Sequence, residues 1–232
     1  MPPRSPIPPC SNTERALLAH VLRSAKKGSP ESVLKAIDDF CYKQAWMMNI
    51  GDEKGAILDL AVASTKPLRL ALELGTYCGY SAVRVARLLP PGAKLVAVDP
   101  SDVPAEVAAP ILEHAGLSDR VELMNGTAAE VLPTLRERGL LFDLLLIDHD
   151  KDQYLPDLRR AEALELLRPG AVVVADNVVV FKLEGYLEHV RKSGQYSSSQ
   201  LHQAHLEYDA SKADGVEVSV YAGDAKSATK SS

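Results

Sequence analysis

Two short polar segments in the second half of the sequence carry side chains suited to a hard cation. Asp148 closes the apolar run 142–148, and Asp176 with Asn177 close the run 171–176. Two carboxylates and one amide oxygen suit Mg²⁺, which keeps its remaining octahedral positions for water or substrate oxygens. The alternative is that the two aspartates only cap the helices that follow. Scattered cysteines and the lack of an HExxH motif disfavour zinc.

Lys151 follows Asp148 by three residues, so it is close enough to act at the same site. A lysine beside a bound cation can serve as a general base that removes a proton from a substrate. The alternative is a surface lysine among Asp148, Asp150 and Asp152, whose negative charges oppose the base role unless a metal neutralises some of them. His149 either lines a cofactor pocket or is a structural or exposed histidine.

A glycine-rich turn at 73–81 predicts a second binding region, for a cofactor. Gly75 and Gly79 follow an apolar run and precede a helical pattern, so a ligand could approach bare backbone there. The spacing is not GxGxxG and the turn has no P-loop lysine, which disfavours a dinucleotide or a nucleoside triphosphate. Asp99 closes the next run, where a carboxylate can bind a ribose diol. These features favour an adenosine-containing cofactor; the alternatives are a ligand-free turn and a helix-capping Asp99.

Five short apolar runs must position these residues, and helical patterns separate the runs. The runs cover 68–74, 94–99, 120–124, 142–148 and 171–176, and the helical stretches cover 80–89, 104–115, 128–138 and 155–167. This alternation predicts right-handed crossovers and a mostly parallel sheet with helices on both faces. Ligands of such sheets bind outside the carboxyl ends of the strands, which is where the polar residues lie.

The two ends of the sequence add other elements to this α/β pattern. Three amphipathic helices are expected first, at about 12–28, 30–41 and 52–64. After a helix near 185–192, the runs 200–208 and 216–221 predict an antiparallel hairpin at one edge of the sheet, with its turn at 212–215. The fold class is therefore α/β, with extra N-terminal helices and an antiparallel C-terminal edge hairpin.

Length and composition indicate one domain. The chain has 232 residues, and we expect a proline-rich disordered tail at 1–11, a single domain at 12–223 and a disordered tail at 224–232. The formal net charge of -5 disfavours nucleic acid as a partner, and no apolar run approaches the ~18 residues of a membrane span. Three scattered cysteines suit a reducing compartment. We expect a cytoplasmic protein, monomeric or weakly dimeric, that does not bind membranes.

At these residues the sequence resembles the catechol O-methyltransferases, the small family that uses Mg²⁺ and S-adenosylmethionine. The resemblance is collinear from about residue 13 to 223. Its five segments are WMMNIGDEKG (46–55), LELGTYCGYSAVR (72–84), DHDKDQYLP (148–156), ADNV (175–178) and LEY (206–208). The resemblance implies a Rossmann-like methyltransferase sandwich that transfers a methyl group from S-adenosylmethionine to a hydroxyl of a catechol-type substrate.

The resemblance also implies a role for each matching residue. Asp148, Asp176 and Asn177 would hold Mg²⁺, Lys151 would be the general base, and Glu207 would accept a hydrogen bond from the second catechol hydroxyl. The substrate would be surrounded by Trp46, Lys151, Asn177, Phe181 and Glu207. The methyl donor would be surrounded by Met48, Ile50, Glu73, Gly75, Tyr77, Tyr80, Ser81, Asp99, Asp148 and His149.

Several positions depart from the family pattern. Asp99 stands where Glu is common, Asp150 where Trp is common, Ala128 and Ala129 where Ser and Gln are common, and Phe181 where Pro is common. We expect the chemistry to be retained and the donor affinity and substrate range to differ. Two alternatives stay open: a protein that binds S-adenosylmethionine without catalysis, and an O-methyltransferase for bulkier vicinal-dihydroxy phenylpropanoids or flavonoids. The glycine spacing disfavours a nicotinamide-dependent oxidoreductase.

Overall fold

The computed structural model describes residues 10–223, which form a seven-stranded sheet with helices on both faces. The strands are β1 (Leu70–Leu74), β2 (Lys94–Asp99), β3 (Val121–Asn125), β4 (Phe142–Ile147), β5 (Leu167–Ala175), β6 (Tyr196–Leu206) and β7 (Asp209–Tyr221). The α-helices are α1 (Asn12–Ser24), α2 (Pro30–Lys43), α3 (Gly51–Ser64), α4 (Tyr80–Leu88), α5 (Ala109–Ala115), α6 (Ala128–Glu137), α7 (Tyr154–Ala163) and α8 (Glu184–Lys192). A π-helical segment, Pro104–Ala108, leads into α5, and 3₁₀ turns cover Ser118–Arg120 and Lys151–Gln153. The predicted tails at 1–9 and 224–232 lie outside the described residues.

The strand order is β3-β2-β1-β4-β5-β7-β6. Pairing is parallel from β3 to β5, and β7 pairs antiparallel with both β5 and β6. This arrangement confirms the predicted mostly parallel sheet with an antiparallel C-terminal hairpin. Because the chain leaves β1 toward β2 and β3 and returns on the other side as β4, the order reverses between β1 and β4. The carboxyl ends of these two strands therefore border the crevice in which ligands of such sheets bind.

Alternate residues of the central strands enter two separate apolar layers. Leu144 and Leu146 of β4 pack in the layer that contains α1 to α5, whereas Leu145 and Ile147 pack in the layer that contains α6 to α8. All four side chains are fully buried. The strands are thus covered on both faces, which explains why their sequences are continuously apolar rather than alternating. Among the helices of residues 10–223, none combines the length and apolar character needed to cross a bilayer.

Two residues that were predicted to lie in the N-terminal tail, Cys10 and Ser11, belong to the domain. Cys10, assigned to the proline-rich tail, is buried in the layer of α1 to α5. Ser11, also assigned to that tail, caps α1 by accepting a hydrogen bond from the backbone of Thr13, and Glu14 bonds back to the Ser11 backbone. This reciprocal capping box fixes the start of α1. Because of the prolines at 2–9, the predicted tail included two positions that belong to the domain.

The predicted position of the hairpin turn, at 212–215, is wrong. The turn lies at Glu207 and Tyr208, between β6 and β7, and Tyr208 has a positive φ of 59°. Asp214 instead lies within β7, opposite Ala204 of β6. The Lys-Ala-Asp-Gly pattern indicated a turn because Asp and Gly are frequent in turns. Here Asp214 is 2% exposed, and its side chain is hydrogen-bonded inside the fold.

Candidate active site

Asp148 and Asp176 follow neighbouring parallel strands at the same edge of the sheet. The last register pair of β4 and β5 is Ile147 with Ala175, and the Asp176 backbone N–H donates to the Ile147 carbonyl at 3.1 Å. Asn177 comes next, with a positive φ of 57° that asparagine tolerates better than most residues. The three residues predicted to hold a metal therefore lie on adjacent strand ends, as the sequence indicated.

A buried lysine, Lys54 of α3, lies among the carboxylates of this edge. Its Nζ is 2.9 Å from Asp176 Oδ2, 2.8 Å from Glu207 Oε2 and 2.9 Å from Asp214 Oδ2. The side chain is 0% exposed. Burial by itself would lower the pKa of Lys54, but the three carboxylates outweigh burial and raise this pKa above its ordinary value. Lys54 therefore contributes a permanent positive charge beneath the candidate site.

One oxygen of Asp176 is buried without a hydrogen-bond partner. Lys54 binds Oδ2, whereas Oδ1 has no donor. Burial, assisted by the charge of Asp148, raises the pKa of the Asp176 carboxyl, although Lys54 acts in the opposite direction. Leaving such an oxygen unpaired is costly unless a donor or a cation satisfies it. The orphaned oxygen and the adjacent Asp148 thus fit a divalent cation.

Asn177 supplies the amide of the predicted metal-binding set. Its Nδ2 donates to Asp214 Oδ2 at 2.8 Å and to Glu207 Oε2 at 3.3 Å. Because the amide nitrogen faces these carboxylates, the amide oxygen points away from them. Among residues 10–223, no group of three His, Cys, Asp or Glu side chains is arranged to hold a metal ion. The predicted set differs from such a group because its third ligand is an amide.

Lys151, the predicted general base, lies beside the first metal-ligand candidate. Its Nζ donates to Asp148 Oδ1 at 2.8 Å and to the Tyr154 hydroxyl at 2.7 Å. The ring of Phe181 lies 5.6 Å from Nζ, measured to the ring centroid. The amine is therefore held between a candidate metal ligand and an aromatic ring on the rim of the site, within reach of a hydroxyl bound at Asp148.

Large apolar side chains are exposed near these polar groups. Trp46 and Phe181 are each about half exposed, and Trp46 Nε1 donates to the backbone carbonyl of Glu207 at 2.9 Å. That bond joins two predicted substrate residues, one aromatic and one acidic. Met48 is also exposed, whereas Ile50 is buried. Exposed aromatic surface beside buried charges is suited to a flat ring that carries polar substituents.

Glu73 lies in the part of the site that is predicted to bind the methyl donor, which we call the donor side. It is fully buried at the carboxyl end of β1, and neither carboxylate oxygen has a hydrogen-bond partner. Burial, together with the charges of Asp148 and Asp99, raises the pKa of the Glu73 carboxyl to about 8, although the Ser81 side chain acts in the opposite direction. A buried acceptor that lacks a hydrogen-bond donor within the protein can bind a ligand that carries N–H or O–H groups.

Asp99 holds the glycine-rich turn through its carboxylate. Oδ2 accepts hydrogen bonds from the backbone N–H groups of Thr76 and Tyr77, at 3.1 and 2.9 Å. Oδ1 accepts from the backbone and hydroxyl of Ser101, at 2.9 and 2.6 Å. A ribose diol would share these oxygens with the turn. The structure thus assigns Asp99 an organising role, and its predicted ribose contact stays a prediction.

The tyrosines of the glycine-rich turn are bonded to the N-terminal helices. The Tyr77 hydroxyl donates to Glu14 of α1 at 2.7 Å, and the Tyr80 hydroxyl donates to Asp38 of α2 at 3.1 Å. Burial raises the pKa of the Asp38 carboxyl to about 6. Ser81, the next predicted donor-side residue, is buried. Helices α1 and α2 therefore support the donor side rather than forming a separate unit.

His149 is partly buried and is oriented by an acidic partner. Its Nε2 lies 3.0 Å from Asp157 Oδ2, and its ring stacks on Tyr154 with 5.4 Å between centroids. The other ring nitrogen, Nδ1, is buried without a partner. The bond to Asp157 fixes the ring and leaves Nδ1 as the ring nitrogen that a ligand could bind.

Two residues of the site, Lys54 and Asp214, were not predicted from the sequence. A signal for Lys54 existed, because it lies four residues before Leu58 on the buried face of α3, where a lysine requires acidic partners. Asp214 had no such signal. Its Asp-Gly pair is typical of a turn, and its burial depends on strand pairing with distant residues.

Comparison with protein families supports the predicted resemblance. The model of the O-methyltransferase family matches residues 23–220. Catechol O-methyltransferase B of Danio rerio is 46% identical over 215 residues, which cover 92% of this chain and 80% of that protein. Catechol O-methyltransferase of Mus musculus is 42% identical over 220 residues, which cover 94% of this chain and 82% of that protein.

Solved structures show the same architecture. The O-methyltransferase TomG of Streptomyces achromogenes, in complex with S-adenosylmethionine, has a TM-score of 0.70 at 27% identity, covering 92% of this chain and 100% of that one. An O-methyltransferase of Bacillus cereus, in complex with S-adenosylhomocysteine, has a TM-score of 0.66 at 26% identity, covering 93% of each chain. The predicted Rossmann-like methyltransferase fold is confirmed. Since the family model and the relatives span most of the sequence, this chain belongs to the O-methyltransferase family, with catechol O-methyltransferases among its relatives.

Proposed function

We propose that the protein transfers the methyl group of S-adenosylmethionine to one hydroxyl of a catechol-type substrate, with Mg²⁺ held by Asp148, Asp176 and Asn177. The observation that carries this proposal is the buried, unpartnered Oδ1 of Asp176 at the same sheet edge as the Lys151–Asp148 pair. The names of the relatives support the substrate class, and the ligands of the solved neighbours support the methyl donor.

Lys151 is assigned the proton transfer in this reaction. A bound Mg²⁺ would supply Lewis acidity, which lowers the pKa of a phenol from its free value of ~10. Lys151 Nζ, held by Asp148 and Tyr154, accepts the proton of the attacking hydroxyl. Glu207 accepts a hydrogen bond from the other hydroxyl, and Trp46 forms one wall for the ring. General base catalysis contributes roughly 10²–10⁴ in rate.

Positioning contributes more than the base. Holding the nucleophilic oxygen in line with the sulfonium methyl group is worth up to ~7–11 kcal/mol. Glu73 offers two buried oxygens without hydrogen-bond partners to the polar groups of the methyl donor, and Gly75, two residues later, lets the backbone of Asp148 approach the end of β1. The donor is a cation, so acidic residues such as Glu73 and Asp148 do not oppose its binding.

A substrate panel with and without chelator tests the proposal. The protein is incubated with labelled S-adenosylmethionine and a set of catechols, in Mg²⁺ or in EDTA. Methyl transfer in Mg²⁺, its loss in EDTA and its return on adding Mg²⁺ are the expected results. Donor binding without methylation of any catechol would instead favour the binding-only alternative.

Asp148→Asn and Asp152→Asn form a matched pair for the same assay. Both remove one carboxylate near Lys151, but Asp152 is exposed, whereas Asp148 contacts the lysine. We expect activity to be lost in the first variant and kept in the second. Equal activity of the two variants would contradict the assigned role of Asp148.

A bulkier vicinal-dihydroxy substrate, such as a phenylpropanoid or a flavonoid, is the second candidate. The observation that favours it is the exposed Asp150, which places a small polar side chain where an aromatic ring is common in the family. Including such compounds in the panel and comparing kcat/KM with that of simple catechols distinguishes the two. The cytoplasmic location and the monomeric or weakly dimeric state stay predictions.

A further inference from the structure

The geometry points to Lys54 and Asp214 as an orienting pair, which determines the oxygen atoms that Asp176, Asn177 and Glu207 present to metal and substrate. Neither side chain takes part in the proposed methyl transfer itself, and the inference rests on the proposed function. The pair lies behind the candidate ligands, where α3, the end of β5 and the β6–β7 hairpin meet. Both side chains are 0% exposed, so neither one is available to substrate.

Lys54 determines how Asp176 is presented. Its Nζ binds Oδ2 at 2.9 Å and leaves Oδ1 buried and unpaired. A carboxylate held through one oxygen offers the other oxygen to a cation in a fixed direction. Outer contacts of this kind orient ligands in metal sites generally.

Asp214 determines which end of the Asn177 amide faces the candidate cation. A carboxylate only accepts hydrogen bonds, so Asp214 Oδ2, at 2.8 Å, selects the nitrogen of the amide. The carbonyl oxygen of Asn177, which is the end that can bind a metal, must then face the opposite side. Asp214 is itself fixed, because its Oδ1 accepts a hydrogen bond from the Val180 backbone at 3.1 Å.

Glu207 is oriented by the same network. Its Oε2 accepts hydrogen bonds from Lys54 at 2.8 Å and from Asn177 at 3.3 Å. Both bonds end on one oxygen, so Oε1 lies outside the network and is the atom that can meet a substrate hydroxyl. One lysine thus holds a candidate metal ligand and the candidate substrate acceptor in a fixed relation to each other.

Asp214→Asn is the most conservative test of the pair. The amide matches the carboxylate in shape, but it must place an N–H group either against the Val180 N–H or against Lys54 and Asn177. In the second case, turning over the Asn177 amide gives the new N–H group an acceptor, although the conflict with Lys54 remains, and it presents the amide nitrogen to the metal. A titration with Mn²⁺ alone, monitored by electron paramagnetic resonance, should therefore show that the affinity for Mn²⁺ is reduced roughly 10–100-fold.

Lys54→Met separates orientation from charge. Removing a positive charge beside three carboxylates would strengthen cation binding if Lys54 acted by charge alone. The orienting role predicts the opposite result, weaker Mn²⁺ binding, because Asp176 and Glu207 lose their common anchor. If Lys54→Met does not fold, as judged by circular dichroism, Asp214→Asn decides the question.

Glu53→Gln is the matched control for charge. It removes one carboxylate from the residue next to Lys54, outside the network, and should leave Mn²⁺ affinity within about twofold. Calorimetric affinity for S-adenosylmethionine, measured without metal, should be equal in all variants, because none of the substituted residues is among those predicted to surround the methyl donor.

The possible outcomes distinguish the two proposals. If the wild-type protein binds no Mn²⁺, both the metal site of the proposed function and the orienting pair are wrong. If the wild type binds Mn²⁺ and folded Asp214→Asn binds it as tightly, the orienting pair is wrong and the proposed function stands. Tighter Mn²⁺ binding in Lys54→Met would reduce the role of Lys54 to charge.

Discussion

Gly75 packs directly against the backbone of Asp148: a Cβ added to Gly75 would lie 2.1 Å from the Asp148 carbonyl oxygen. The contact joins the carboxyl ends of β1 and β4, the two strands between which the strand order reverses. The Asp148 N–H also donates to the Leu74 carbonyl, at 2.8 Å. The candidate donor and metal sites therefore share one rigid junction of backbone.

Gly75→Ala should disrupt this junction. The new methyl group meets backbone, which cannot move aside as a flexible side chain could, and the positive φ of 101° adds strain. Gly92→Ala is the matched control, because Gly92 has a φ of +83° but nothing within 4 Å of an added Cβ. Urea denaturation should show a cost of about 1–2 kcal/mol for Gly92→Ala and about 1–3 kcal/mol more for Gly75→Ala. Equal costs would mean that strain alone explains the need for glycine.

Lys151→Met should lower kcat by roughly 10²–10⁴ and leave the affinity for S-adenosylmethionine unchanged. The physical reason is loss of the amine that accepts the phenolic proton, whereas the donor side of the site keeps its residues. Lys192→Met serves as the control, because Lys192 is an exposed lysine of α8. Initial rates and calorimetric donor binding measure the two quantities. A fall in kcat of less than about tenfold would argue against Lys151 as the base.

Glu73 should make the stability of the ligand-free protein depend on pH. The folded pKa of about 8 exceeds the ordinary value of 4.5, so the folded state binds more protons than the unfolded state between these values. Stability therefore falls as pH rises through this window. Glu73→Gln removes the buried group that must ionise as pH rises. The variant should therefore gain stability relative to the wild type between pH 5 and about 8.

The measurement for Glu73 is urea denaturation of both proteins in EDTA at several pH values. Glu130→Gln supplies a comparison at a carboxylate of the α6 capping box, outside the buried core of the site. A stability difference between Glu73→Gln and wild type that stays constant with pH would contradict the raised pKa.

Trp46→Ala should weaken substrate binding more than catalysis. Truncation removes one face of the proposed slot, and an aromatic contact contributes about 0.5–1.5 kcal/mol, which corresponds to roughly a 2–10-fold rise in KM. Trp46→Phe keeps a ring but loses the 2.9 Å bond to the Glu207 carbonyl, so it separates stacking from hydrogen bonding. Leu60→Ala, at an exposed apolar position of α3, should not alter KM. An unchanged KM in Trp46→Ala would show that Trp46 does not form a wall of the substrate slot.

The sheet and one half of the site could be predicted because their signals are local. The apolar runs that end in Asp148 and Asp176 predict both where a strand ends and which polar group follows it. Parallel pairing then brings the two ends together without further information. The pairing of Ile147 with Ala175 is the geometric form of that inference.

The other half depends on contacts between distant parts of the chain. Lys54 reaches Asp176 across 122 residues and Asp214 across 160 residues, and no local pattern encodes such pairings. The hairpin turn was wrongly predicted at 212–215 for the same reason. A two-residue turn at Glu207 and Tyr208 leaves Asp214 inside a strand, but the local Asp-Gly signal favours a turn there.

The order of strands has a consequence for how the protein matures during synthesis. Among the strands of residues 10–223, β7 is the last to be synthesised, and it lies between β5 and β6 rather than at the edge of the sheet. Until it is inserted, β5 presents an open row of amide and carbonyl groups, which is a template for association with other chains. Lys54 then also lacks its Asp214 anchor. A nascent chain that lacks β7 is thus prone to aggregate, and its active site is incomplete. The insertion of β7 is therefore the step at which a chaperone would have to protect the chain.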